Sequence, residues 1–249
     1  ALAVAEATQN PVAQATSMNN LGLVALRQGN YADSVKHFEI TLNLHREHGE
    51  RWKVASTLHN LGTLAGIQGD LGKANHYFEE ALSMCRSIGD RRGIALALDN
   101  LGFVAQLHGE LDKASDYLEE SLSLSQAIGN RQGSANTLIN LGHVATAQND
   151  TTRAADLFRR ALRIAYDLDA TPMMLESICG LIGLDTNNPQ TLSRLGMVLN
   201  HPASTQETRE MATKVIDQLK ASQPADLVEK HTTAGKDLPL EQVVQELLG

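Results

Sequence analysis

The sequence predicts an all-α fold, an α-solenoid of stacked helical hairpins followed by a C-terminal helical cap. The tripeptide Asn-Leu-Gly occurs four times, and each copy lies 40 residues after the previous one. A fixed period of this size is typical of stacked repeat proteins. Residues 51–90 and 91–130, aligned without a gap, agree at 18 of 40 positions. We therefore expect one structural unit per period.

Each period contains two apolar patterns with helical spacing. Residues at i, i+3, i+4 and i+7 predict a first helix over residues 51–67, and residues four apart predict a second helix over residues 71–88. Gly69 separates the helices, because glycine takes the left-handed conformation that ends a helix, and Asp70 is suited to cap the next one. The residues that carry these patterns are Leu58, Leu61, Gly62, Ala65, Ala74, Phe78 and Leu82.

The same register predicts a repeat array over residues 1–184. All six prolines lie outside residues 12–171, so none interrupts the helices of the full repeats. Leu2 and Val4 match the end of a second helix, so we expect the chain to be a fragment of a larger protein. The array comprises a partial repeat at residues 1–10, full repeats at about 11–50, 51–90, 91–130 and 131–170, and a degenerate fifth repeat from residue 171.

The repeat pattern fails at residues 185–189, and residues 185–249 are expected to form a helical capping region. A stacked array needs cover for its exposed terminal face, which a divergent helical segment supplies. The alternative is that these residues form a separate docking module. Amphipathic patterns predict helices at residues 190–199, 205–221, 224–234 and 240–248.

The small residues of the pattern have a mechanical role. Two helices approach closely only where side chains are small, and a large residue such as Phe78 then fills the space beside them. Leu61 and Gly62, followed by Ala74 and Phe78, resemble the tetratricopeptide repeat, and the match recurs in all four units. The sequence departs from that family in its period, 40 instead of about 34 residues, and in Gly-Asp replacing the terminal proline. The resemblance implies a right-handed superhelix whose concave wall is lined by the first helices.

The composition argues against several classes of function. A net charge of −8 without a basic cluster argues against direct nucleic-acid binding, and no apolar run approaches the roughly 18 residues of a membrane span. With only Cys85 and Cys179 and no visible signal peptide, we expect a cytoplasmic protein. His45 and His48 are three residues apart, but a metal site needs three or four converging ligands, so both are expected to be solvated. No catalytic constellation is discernible, and we expect a non-enzymatic protein without cofactor or metal.

The face of each first helix that the core does not use is the predicted binding surface. Positions equivalent to His59 and Thr63 change chemistry between repeats, and Ile139 replaces His59 in the fourth, which fits either ligand contact or the drift of a solvated face. The recurring asparagines either contact a peptide backbone, as the resemblance implies, or join adjacent hairpins. Phe103 is the predicted apolar anchor. The predicted ligand-binding residues are Asn19, Asn20, Leu23, Arg27, His59, Asn60, Thr63, Asp99, Asn100, Phe103, Asn140 and His143.

Two functional hypotheses follow, and neither names the partner. Residues 201–209 and 235–248 resemble the C-terminal ends of bacterial signal-transduction ATPases, including LuxR-type regulators, that carry tetratricopeptide arrays. That resemblance implies a sensor region whose binding of a protein, a peptide or a small inducer controls an upstream nucleotide-binding switch. The alternative is a free-standing adaptor or scaffold that holds an extended peptide in its concave groove. The uncapped partial repeat at residues 1–10 also predicts weak self-association.

Overall fold

The structure is a computed structural model that describes residues 11–186, 188–221 and 223–249. Within these residues the chain forms thirteen α-helices and one short 3-10 helix and no strand, which confirms the predicted all-α fold. None of these helices is long and apolar enough to cross a lipid bilayer. The predicted partial repeat at residues 1–10 lies outside the described residues. The chain divides into two compact units, Ala1–Ile128 and Gly129–Gly249, and each is described by itself.

The first unit contains three helical hairpins. Packing is most extensive between the two helices of one hairpin, and the second helix of each of the first two hairpins also packs against the first helix of the hairpin that follows it. Both helices of the second hairpin begin and end at the predicted residues. The hairpins are α1 (Pro11–Arg27) with α2 (Tyr31–Glu47), α3 (Arg51–Ile67) with α4 (Leu71–Ile88), and α5 (Arg91–Leu107) with α6 (Leu111–Ala127).

Glycine and aspartate perform their predicted roles at the helix boundaries. Gly69 has a φ of +77°, a left-handed value that side-chain-bearing residues rarely adopt. The Asp70 carboxylate then accepts a hydrogen bond from the Lys73 backbone N–H at 3.0 Å, which caps α4. Asp90 caps α5 in the same way, through the Gly93 backbone N–H at 3.0 Å. These local rules explain why the hairpin boundaries follow directly from the sequence.

The closest packing within a hairpin joins a glycine of the first helix to a large side chain of the second. A Cβ atom at Gly62 would lie 2.6 Å from Cε1 of Phe78, which is closer than real Cβ atoms approach other atoms. The Phe78 ring thus occupies the space that a side chain at position 62 would need. This contact confirms the mechanical role predicted for the glycine. The equivalent pairs of the first unit are Gly22 with Phe38 and Gly102 with Leu118.

The expectation that His45 is solvated is wrong. Its side chain is buried at the end of α2, and Nδ1 lies 2.7 Å from Oε2 of Glu50. Lys53 donates from Nζ to the other oxygen of Glu50 at 2.6 Å, so the three side chains form a connected polar network. Glu50, the partner of His45, lies in the turn that follows α2, and Lys53 lies at the start of α3. Burial of this histidine therefore depends on packing between hairpins, which helical spacing within α2 does not reveal.

In the second unit a fourth hairpin is followed by a helix at the position predicted for a fifth repeat. These helices are α7 (Arg131–Ala147), α8 (Thr151–Asp167) and α9 (Thr171–Leu184). The ring of Phe158 meets two glycines, since a Cβ atom at Gly142 or at Gly180 would lie 2.6 Å from it. One aromatic side chain of α8 therefore sets the approach of both α7 and α9.

Four helices follow α9 at almost the predicted limits, and they pack back onto the second unit. Tyr166 of α8 donates its hydroxyl hydrogen to Oε1 of Glu241 at 2.7 Å, and Arg194 pairs with Glu246 at 2.7 Å. Val243, between the two glutamates, is fully buried. The last helix is thus fixed by both apolar and polar contacts. The four helices are α10 (Thr191–Asn200), α11 (Gln206–Lys220), α12 (Ala225–Ala234) and α13 (Leu240–Leu248).

We predict that Gly62→Ala lowers the free energy of unfolding by about 1–3 kcal/mol, because the new Cβ collides with Phe78 in a filled core. Gly66 lies one helical turn later in α3, and no atom lies within 4 Å of the corresponding Cβ position. Gly66→Ala should therefore stabilise the protein by about 0.5–1 kcal/mol through helix propensity. Denaturant unfolding followed by circular dichroism measures both changes. Similar effects of the two substitutions would contradict the packing argument.

Glu176 of α9 makes the stability of the protein depend on pH. Burial raises the pKa of its carboxyl to about 7 from an ordinary 4.5, and the negative charge of Glu207 adds to the increase. The folded protein binds the proton of the Glu176 carboxyl more tightly than the unfolded chain does. The contribution of this proton to the free energy of unfolding is therefore fully present below pH 4.5 and is lost as the pH rises through about 7.

We predict that Glu176→Gln raises the free energy of unfolding at about pH 8 and changes it little near pH 4.5, because glutamine needs no proton to be neutral. Chemical denaturation across this pH range provides the measurement. Glu229→Gln is the matched control, because Glu229 is exposed in the same unit. Parallel pH profiles for the wild type and Glu176→Gln would show that Glu176 does not titrate in this way.

Candidate functional site

The face of α3 and α5 that the core does not use is the candidate binding surface. The two helices lie side by side in the first unit. Since each buries one stripe of apolar residues at helical spacing, the opposite stripe carries the side chains that are more exposed in the described part of the chain. Apolar side chains on that stripe are well exposed, Trp52 by 63% and Leu96 by 47%. The exposed apolar residues of this face are Trp52, Ile67, Leu96, Phe103 and Leu107.

His59 and Asn100 approach each other across the two helices. The Asn100 amide nitrogen lies 3.4 Å from Nδ1 of His59 and donates to the Leu96 carbonyl oxygen at 2.8 Å. The His59 ring packs against Phe78 with 5.5 Å between ring centroids. Burial lowers the pKa of His59 to about 4, so the imidazole is neutral at physiological pH. With Nδ1 facing a donor, the ring hydrogen belongs on Nε2.

The recurring asparagines of the first helices have different surroundings in the different repeats. Asn100 is held by its own helix and by His59. Asn60 is half-buried and Asn20 exposed, and neither amide makes a side-chain hydrogen bond with the part of the chain that the structure describes. Asn60 therefore presents a donor and an acceptor beside the exposed apolar side chains. Of the recurring asparagines, Asn100 thus joins two hairpins, whereas Asn60 is open to a ligand.

The other predicted residues of the first unit also lie on its first helices. Arg27 and Thr63 are exposed, and Phe103 is 38% exposed. The Thr63 hydroxyl donates to the His59 carbonyl oxygen at 3.1 Å. Leu23 is half-buried and packs against the apolar core between the first two hairpins. The remaining two, Asn19 and Asp99, are half-buried.

A cavity of about 550 Å³ opens between α3 and α5, above α4. Its rim carries Trp52, Ser56, His59, Arg92 and Leu96. Small buried side chains and the Asp90 turn form its floor, so the cavity is deep enough to admit a side chain from outside. The remaining lining residues are Ala55, Ala81, Cys85, Asp90, Gly93 and Ala97.

Trp52, the most exposed of these apolar side chains, is not among the predicted binding residues. It lies one helical turn before Ser56 on the free stripe of α3. The signal that could have identified it is the occurrence of the only tryptophan of the chain on the polar side of a helical pattern. Leu96 and Leu107, which are exposed on the same face of α5, are likewise absent from the predicted binding residues.

The second unit holds the last two predicted residues, Asn140 and His143, which are both half-buried on α7. His143 packs edge-on against Phe158 with 5.1 Å between ring centroids, and burial lowers its pKa to about 4. Ile139 is only 2% exposed, so its placement on the free face is wrong. Its large apolar side chain belongs to the core of the second unit. No group of three potential metal ligands converges among the described residues.

Comparison with solved structures finds the same fold in proteins of low sequence identity. The crystal structure of the apo form of RapI superimposes with a TM-score of 0.67 at 15% identity, covering 93% of this chain and 84% of that protein. A second similar structure is that of the nearly identical TPR-like repeats of a kinesin light chain from Podosopora anserina. It gives a TM-score of 0.57 at 15% identity. That alignment covers 84% of this chain and 97% of the other. Identities this low show the shared fold alone.

Comparison of sequences gives the family. No curated protein matches the chain. The model of the tetratricopeptide repeat family, however, matches residues 13–87 and again residues 93–167. Both matched segments carry the Leu-Gly and Ala/Phe positions on which the predicted resemblance rests. Because the two segments make up more than half of its residues, the chain belongs to the tetratricopeptide repeat family.

Proposed function

We propose that this chain is a non-catalytic binding module that holds an extended segment of a partner protein, or a peptide, on the face of α3 and α5. The exposed apolar side chains of that face, led by Trp52 and Leu96, carry the proposal. They stand beside the Asn60 amide, which has no partner among the described residues. Tetratricopeptide repeats typically mediate protein–protein interactions, and membership of that family supports such a role.

The two kinds of side chain on this face have different tasks. Burial of Trp52, Leu96 and Phe103 against a ligand supplies affinity, at about 25 cal/mol for each Å² of apolar surface removed from water. The Asn60 amide both donates and accepts, so it can pair with a peptide bond whatever the ligand sequence. The neutral His59 adds no charge at physiological pH. The surface thus favours an extended, partly apolar segment.

We further infer that the module is the sensing region of a larger bacterial regulatory ATPase. The similarity of residues 201–209 and 235–248 to the C-terminal ends of such proteins supports this inference. A bound ligand would control a nucleotide-binding switch by binding its two states with different affinities. Sequencing the reading frame upstream of Ala1 tests the idea, because a phosphate-binding loop should be encoded there. A frame with only further 40-residue repeats would favour the adaptor.

We predict that Asn60→Ala weakens peptide binding about 3- to 10-fold, because the substitution removes one or two hydrogen bonds to the ligand backbone. The ligands are peptides selected from a random display library against the intact chain, and affinities are measured by fluorescence anisotropy. Because Asn60 is bonded to no described residue, the free energy of unfolding should change by less than about 0.5 kcal/mol.

Asn43→Ala is the matched control, because Asn43 is exposed on the second helix α2. It should alter neither affinity nor stability. If Asn60→Ala and Asn43→Ala bind the selected peptides equally well, Asn60 does not contact ligand. If the library yields no peptide above background, the proposed binding function itself is wrong.

A further inference from the structure

We propose that the cavity between α3 and α5 is a specificity pocket for one bulky ring-bearing side chain of the ligand, with a neighbouring carboxylate held by Arg92. This inference rests on the proposed function and adds the chemistry of the ligand. The volume of the cavity, about 550 Å³, lies within the roughly 300–1,000 Å³ range of ligand-binding pockets. Four of the five rim residues are exposed, so a side chain can enter without any movement of the helices.

The pocket exists because four floor positions carry small residues. In the register of the repeat, Ala81, Cys85, Gly93 and Ala97 correspond to Thr41, His45, Lys53 and Thr57, which are all larger. In that preceding hairpin the His45–Glu50–Lys53 network occupies the space with side chains bonded at 2.7 and 2.6 Å. The difference in residue size between two equivalent positions of the array therefore creates a cavity at one and fills it at the other.

The walls of the pocket favour a flat apolar group. Trp52 and Leu96 offer large apolar surfaces, and His59 is held neutral by burial. The Lys53 ammonium lies 5.6 Å from the Trp52 ring centroid, where a cation stabilises the aromatic face, and Glu50 fixes that lysine in turn. Trp52 is thereby oriented before any ligand arrives. An aromatic ring of the ligand stacked against Trp52 would bury the contacting faces of both rings in the cavity.

Arg92 supplies the charge selectivity. Its side chain is exposed at the rim and makes no ion pair with the described residues. Asp90 also lines the cavity, but its carboxylate accepts the Gly93 N–H at 3.0 Å and caps α5. The guanidinium of Arg92 is therefore the charged group of the rim that is free to bind, and it pairs best with a carboxylate in two-point geometry.

The test uses 4-phenylbutyrate, which joins an aromatic ring to a carboxylate through a short linker. Trp52 is the only tryptophan of the chain, so its fluorescence reports occupancy of the pocket directly. The intact wild-type chain should show a saturable change, and the neutral 4-phenylbutanamide should bind about 3- to 10-fold more weakly. Arg92→Ala should remove that preference, whereas Arg91→Ala, which changes the adjacent exposed arginine outside the pocket, should keep it.

Ser56→Phe tests the cavity itself, because Ser56 is an exposed rim residue whose replacement fills the pocket without altering the core. It should weaken 4-phenylbutyrate binding about tenfold or more, while Ser83→Phe on the exposed side of α4 should have no effect. A fluorescence change that is not saturable, or that survives in Ser56→Phe, overturns the pocket. Selected peptides that bind through Asn60 while 4-phenylbutyrate does not bind would overturn the pocket alone. Binding of 4-phenylbutyrate without any selectable peptide would overturn the peptide-binding function instead.

Discussion

The contact between a first-helix glycine and the large side chain opposite it is the constraint on which the rest of the structure depends. Gly62 lets the Phe78 ring lie directly against the backbone of α3, and the same arrangement recurs in the neighbouring hairpins. A helix held this closely on one side has its core contacts concentrated in a narrow stripe. The opposite stripe is less constrained by packing, since several of its large side chains, Trp52 and Leu96 among them, remain exposed, and this is what makes a binding surface available.

Small residues thus serve two purposes in the same repeat. At Gly62 and Ala74 they bring helices together, whereas at Ala81 and Ala97 they leave an opening that no neighbouring side chain fills. The first use repeats along the array because every hairpin needs it. The second appears between α3 and α5, where equivalent larger residues of the preceding hairpin are absent. Variation at buried floor positions, as well as on the exposed face, therefore determines what the surface can hold.

The features that the sequence predicted are those that depend on local chemistry repeated in register. Gly69 and Asp70 define a boundary by their own backbone and side-chain preferences, so the limits of α3 and α4 could be predicted. The burial of His45 could not, because its partner Glu50 reaches it only after the chain has turned. The cavity could not be predicted for a different reason. Alignment of the repeats shows the residues that they share, whereas the cavity arises where the repeats differ in side-chain volume. Ile139 was misplaced because a position that is polar in three repeats became apolar and joined the core.

Phe158 has a consequence for how the second unit opens. Its ring rests on Gly142 of α7 and on Gly180 of α9, whereas the rings of the first unit each meet one glycine. Neither α7 nor α9 can separate from α8 without exposing the same ring to water. Fluctuations of the two helices are therefore linked through a shared side chain, and this part of the array behaves as a single cooperative segment instead of a series of independently fraying hairpins.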